Sequence, residues 1–236
     1  MTDKKIVLVT GATSGIGAAV ARRLAAQGHR VLAGARREDR LAELAGDNIE
    51  VRRLDVTDRA DVASFVDWAV STHGRIDVLV NNAGVMPLSR LDALLVDEWD
   101  TMIDVNVRGL LNGIAAALPH FQRQGHGHFV TVASVGAHEV VPTAAVYCGT
   151  KHAAWAITEG LRQELDPSIR VTTVSPGVVE SELAQSITDA GAAAAMQTYR
   201  ADSIPPDAIA RAIAYAIDEP AEVDVNELVI RPARQR

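Results

Sequence analysis

From Lys5 to Gly28 the chain reads as strand, glycine turn and helix in direct succession. Lys5-Ile-Val-Leu-Val-Thr10 is apolar without alternation, the pattern of a strand buried on both faces of a parallel sheet. Gly11-Ala-Thr-Ser-Gly15-Ile-Gly17 follows, and Ala18 to Gln27 then makes a helix stopped by Gly28. A parallel strand needs a crossover to reach its neighbour, and a helix is the usual one. Few folds accept such a start, and the rest of the chain continues it.

Arg30 to Ala35 is a second strand, and Arg37 to Ala45 an amphipathic helix. Ile49 to Leu54 is a third strand, after which Thr57 or Asp58 caps a helix from Arg59 to His73. Ile76 to Val80 is a fourth strand. Val96 to about Gln124 reads as one long helix with Asn106 in its middle. Gly125 to His128 is a turn, and Phe129 to Ala133 a fifth strand. A helix around Tyr147 runs on through Leu165 and stops before Pro167. Arg170 to Ser175 is a sixth strand, broken by Pro176-Gly177. Asp207 to Ile217 is a helix, Val225 to Ile230 a last strand, and Arg231 to Arg236 a tail. Alternating strands and helices predict an α/β, Rossmann doubly wound fold: one domain over 1–236, a seven-stranded, mostly parallel sheet, helices on both faces. Val178 to Ser203 is alanine-rich and weakly patterned, and reads as a mobile substrate lid at about 178–205.

The glycine turn carries the first chemistry. Its glycines let the backbone turn tightly against a pyrophosphate, and the helix N-terminus offers free N–H groups to the anion. Arg36 and Arg37 follow the second strand, where a dinucleotide ribose lies. An acid there binds the 2′-OH of NAD(H), whereas arginine suits the 2′-phosphate of NADP(H). Adjacent loop arginines are often merely solvated, but this position favours NADP(H), because a guanidinium matches phosphate. Asp55 is either a loop acid or a partner for adenine. Asn106 either bonds locally or is a buried functional amide.

The second chemistry spans Ser134 to Lys151. Tyr147 and Lys151 are four apart and share a helix face. A nearby cation is expected to lower the phenol pKa, and Ser134 could hold a carbonyl or alcohol oxygen beside it. Val135, His138, Val140, Met86 and the lid flank these groups and are expected to line a substrate pocket. His138 would contact a polar substituent or fill the wall. The mostly apolar lid points to a hydrophobic carbonyl compound.

Composition narrows the partners. A net charge of −7 argues against nucleic acid or an anionic membrane surface. One cysteine, Cys148, leaves no internal disulfide and fits a reducing, cytoplasmic setting. No uncharged apolar run is long enough to span a bilayer, and Met1 to Lys5 leads straight into a strand, so no signal peptide is expected. His126 and His128 lack a third ligand nearby, so no metal is expected.

Gly11-xxx-Gly15-x-Gly17, Asn81-Asn-Ala-Gly84, Ser134, Tyr147-xxx-Lys151 and Pro176-Gly177 together resemble the compact short-chain dehydrogenase/reductases over almost the whole chain. Ala35-Arg36-Arg37, Leu161-Arg-Gln-Glu-Leu165 and Val225 to Pro232 look like the NADP-dependent clavulanic acid dehydrogenase-like and bacterial 3-hydroxy acid dehydrogenase-like branches. The resemblance implies an NADP(H)-dependent oxidoreductase interconverting a ketone or aldehyde and an alcohol. Tyr147 would be general acid/base, Lys151 would lower its pKa and hold the nicotinamide ribose, and Ser134 would bind the substrate oxygen. Asn106 would bend its helix and position a relay water. Gly11, Thr13, Ser14, Gly15, Ile16 and Gly17 would surround the pyrophosphate, and Asp55 and Val56 would contact adenine. Asn82, Ala83 and Gly84 would meet the adjoining ribose, and Pro176, Gly177, Val179 and Ser181 the nicotinamide. The family also implies a homodimer or tetramer on the two long helices. An NAD-dependent alcohol dehydrogenase and a non-catalytic NADPH-binding regulator are the competing readings.

Overall fold

A computed structural model describes residues 4–235; Met1 to Asp3 and Arg236, part of the expected leaderless start and tail, lie outside the described residues. Seven strands form one sheet: β1 (Ile6–Thr10), β2 (Arg30–Ala35), β3 (Ile49–Arg53), β4 (Val78–Asn81), β5 (Gly127–Val132), β6 (Ile169–Pro176) and β7 (Glu227–Ile230). Their order is β3-β2-β1-β4-β5-β6-β7. Every pairing is parallel. The helices are α1 (Gly15–Ala26), α2 (Glu38–Leu44), α3 (Arg59–His73), α4 (Val96–Ile103), α5 (Gly109–Gln124), α6 (Ala145–Glu164), α7 (Ala190–Tyr199) and α8 (Pro206–Asp218).

The strands are apolar on both sides because both sides are covered. Val7 and Val9 of β1 face a core with Leu24 of α1 and Ile209 and Ile213 of α8. Leu8 faces the other way, into a core with Phe65 of α3, Phe121 of α5 and Phe129 of β5. The Phe121 and Phe129 rings meet edge-on with centroids 4.9 Å apart, and a fully buried phenylalanine contributes about 1.5–3 kcal/mol through removal from water. Strand order reverses between β1 and β4. That switch opens a crevice beyond the carboxyl ends of the strands.

Three boundaries depart from expectation. Asp104–Arg108 is a π-helical turn that divides the expected long helix into α4 and α5. Gly127 and His128 belong to β5, since a Cβ on Gly127 would stand 2.2 Å from Cγ of Phe121 and only glycine lets that ring lie on the strand. Segment 178–205 is structured: a 3-10 turn over Glu182–Ser186, then α7, whose N-cap Asp189 accepts from the Ala192 N–H.

Candidate active site

The ends of β1 and β4 lock the glycine turn in place. The Thr10 hydroxyl accepts from the N–H groups of Asn82 and Ala83, both at 3.1 Å. The Asn82 amide donates back to the carbonyls of Thr10 and Gly11, at 2.9 and 3.1 Å. Gly11 and Gly15 have φ of +65° and +51°, open to glycine at little strain. A Cβ on Gly17 would meet the Gly11 carbonyl oxygen at 2.4 Å. Gly17 thus lets α1 pack closely against the turn. Ser14 caps α1 without a side-chain hydrogen bond. The first N–H groups of the helix therefore stay available to an anion.

Gly11, Thr13, Ser14, Gly15 and Ile16 line one end of a cleft of about 470 Å³. Arg36, Arg37, Asp55 and Val56 line the same end. Burial pushes the Asp55 carboxyl up, but hydrogen bonds from the Thr57 N–H and hydroxyl, with the charges of Arg36 and Arg53, bring it below its ordinary range. The Arg37 guanidinium donates to the Thr13 hydroxyl, at 3.1 Å through Nη2, and to Glu182 Oε2 at 2.7 Å through Nη1.

The other end holds the proton-transfer groups. Ser134 leaves β5 as the cap of a short turn, its Oγ accepting from the Gly136 N–H at 3.0 Å. Tyr147 and Lys151 lie on α6, buried, and Lys151 Nζ stands 5.9 Å from the Tyr147 ring centroid. Lys151 donates to the Val132 carbonyl at 3.0 Å. Burial pushes the phenol up to about 12, against a hydrogen bond from Ser134 that pulls it down. Burial also lowers the Lys151 ammonium to about 8. The expected lowering of the phenol by its cation is absent, because desolvation disfavours the charged form of both groups.

Ser134, Tyr147, Lys151, Met86, Asn82, Ala83, Gly84, Pro176, Gly177, Val179 and Ser181 all line this single cleft. His138 does not. Its Nε2 lies 2.9 Å from Glu227 Oε1 and 3.2 Å from Ser175 Oγ, so it is held to β6 and β7 by a carboxylate. Val140 is exposed, and Val141 takes the cleft position. Asn106 sits behind the cleft: Oδ1 accepts from the Val85 N–H at 2.9 Å, and Nδ2 donates to the Val85 carbonyl and Thr150 hydroxyl, both at 3.0 Å. These bonds tie the loop after β4 to α6, the helix bearing Lys151. Glu139, Cys148, Glu182, Met196, Tyr199 and Arg200 line the cleft as well. Cys148 stands one residue from a motif tyrosine, which was a usable signal, whereas Tyr199 and Arg200 close a helix that the sequence barely punctuates. His126 pairs with Asp77 and His128 with Thr172. No helix among the described residues is long and apolar enough to cross a membrane.

A family model for short chain dehydrogenase matches residues 5–192. An uncharacterized oxidoreductase of Staphylococcus saprophyticus is 47% identical, over 98% of this chain and 97% of its own. The closed form of a serine dehydrogenase complexed with NADP+ superposes with a TM-score of 0.89 at 34% identity, covering 95% of this chain and 93% of the other. A 3-ketoacyl-(acyl-carrier-protein) reductase from Brucella melitensis complexed with NADH gives a TM-score of 0.88 at 30% identity, covering 100% of both chains.

Proposed function

The chain belongs to the short-chain dehydrogenase family and is an oxidoreductase, and from that premise we propose that it reduces a hydrophobic ketone or aldehyde with NADPH. One observation carries the reading: the glycine turn and the Ser134, Tyr147 and Lys151 side chains open onto the same cleft. The α1 N-terminus, free of a side-chain cap, and the two positive-φ glycines of the turn, Gly11 and Gly15, fit a pyrophosphate. Arg36 and Arg37, with no acid at the end of β2, favour the 2′-phosphate. The NADH complex of a similar reductase keeps NAD(H) as the second reading.

The cleft lining would hold a reduced nicotinamide dinucleotide, whose chemistry would be hydride donation to a carbonyl carbon. Tyr147 donates the proton to the carbonyl oxygen. A phenol held near 12 keeps that proton at neutral pH, the state that donation requires. Ser134 hydrogen-bonds the same oxygen as charge develops on it. Lys151 would hold the ribose hydroxyls and supply positive charge behind the phenol. A cavity of about 10 Å³ beside Lys151, lined by Asn81 and Asn106, is at the lower limit for one relay water. Segment 178–205 acts as the lid. Met86, Val135, Val141, Leu183 and Met196 give the reacting end an apolar wall.

A panel of ketones and aldehydes, followed by NADPH and NADH oxidation, tests this. Tyr147→Phe is expected to lower turnover by roughly a hundred- to ten-thousandfold, the range attributed to acid–base catalysis, while NADPH affinity stays within about threefold. Undiminished turnover in that variant refutes the assignment. Arg36→Asp is expected to weaken NADPH binding and spare NADH.

A further inference from the structure

The corner where a 2′-phosphate is expected already contains an anion. Glu182, in the 3-10 turn that begins segment 178–205, reaches across the mouth of the cleft. Its Oε2 accepts from Arg37 Nη1 at 2.7 Å, and its Oε1 lies 3.7 Å from Arg40 Nη2. The same guanidinium grips the Thr13 hydroxyl on the glycine turn. Thr13, Arg37 and Glu182 all line the cleft, so the ion pair spans the groove from the adenosine side to the far lip. Both ends are partly exposed, and neither is fixed by deep packing.

We propose that Glu182 is a specificity-determining residue that competes with the cofactor 2′-phosphate for Arg37. The inference rests on the dinucleotide-binding reading above. A guanidinium has a limited set of in-plane donors, and Arg37 directs Nη1 to the carboxylate and both Nε and Nη2 to Thr13. A 2′-phosphate docking there displaces the carboxylate or shares the arginine with it, and like charges side by side repel. A bare 2′-hydroxyl does neither and leaves the clasp closed. Glu182 therefore penalises NADP(H) relative to NAD(H), and moderates the preference that Arg36 and Arg37 create. It also links the start of segment 178–205 to which nucleotide occupies the groove.

Calorimetric titration of the full chain tests this with four probes: NADPH, NADH, adenosine 2′,5′-bisphosphate and 5′-AMP. Glu182→Gln keeps the side-chain shape and removes its charge. It is expected to tighten NADPH and the bisphosphate roughly three- to tenfold, the scale of a partly exposed ion pair plus the relieved repulsion. NADH and 5′-AMP should move less than about twofold. In an Arg37→Gln background the Glu182→Gln gain should vanish, because the contested donor is gone. Equal shifts for both cofactors, no shift, or a gain that survives Arg37→Gln would each overturn the inference and leave the oxidoreductase reading standing. Failure of the unsubstituted chain to bind any of the four would overturn both.

Discussion

Lys151 shows how burial sets the chemistry of a single side chain. Its ammonium is lowered to about 8 in the fold, against an ordinary 10.5. Below about pH 8 the lysine is charged in both folded and unfolded chains, and the full cost of burying the charge is present. Between about 8 and 10.5 the folded chain has released the proton while the unfolded chain still holds it. Stability therefore rises with pH across that window. Urea unfolding at pH 7.5 and 9.5 should show a rise of about 2 kcal/mol from this group that Lys151→Met lacks. Equal pH dependence in the two proteins would contradict the burial account. Tyr147, Lys151 and Ser134 were legible because motif and spacing coincide on one strand end and one helix face. His138 was not. Its neighbours in sequence line the cleft, but its partner Glu227 is far away on β7, and only folding brings that carboxylate within 2.9 Å.

At the scale of elements, close approach decides which glycines matter. Gly113 of α5 lies against β4, and a Cβ there would stand 2.3 Å from Asn81 Oδ1 and 3.4 Å from Leu79 Cδ2. Asn81 is buried and cannot swing into solvent. Gly113→Ala should destabilise by about 1–3 kcal/mol, as overpacking does. Gly149 of α6 is exposed, with nothing within 4 Å of an added Cβ. Gly149→Ala should instead stabilise by about 0.5–1 kcal/mol through helix propensity. Chemical denaturation of both variants checks the pair, and equal effects would contradict the packing. Well-punctuated elements were legible: β2 and α3 run over the expected residues, α3 opening on the Asp58 cap and ending at Gly74 in a left-handed turn. The π turn was hidden, since an inserted residue leaves the apolar pattern of a long helix intact on both sides. In segment 178–205, alanines allow a helix without announcing its ends. The Asp189 cap was the one signal that α7 begins there.

Across the whole molecule, a parallel sheet collects at one edge residues that are distant along the chain. The carboxyl ends of β1, β2, β4, β5 and β6 bring Gly11, Arg36, Asn82, Ser134 and Pro176 to one cleft, which α6 completes with Tyr147 and Lys151. The fold was readable because alternating strands and helices admit few windings. The outer part of the site was less so, because Glu139, Tyr199 and Arg200 come from irregular or weakly patterned segments. The central claim is that nucleotide and proton donor share this cleft. A crystal structure of the chain with NADP(H) measures it most directly. The account predicts the pyrophosphate on the N-terminus of α1 and the nicotinamide facing the Tyr147 hydroxyl, with room between them for one carbonyl group. A nicotinamide turned out of the cleft, or a Tyr147 hydroxyl screened from it, would contradict the account.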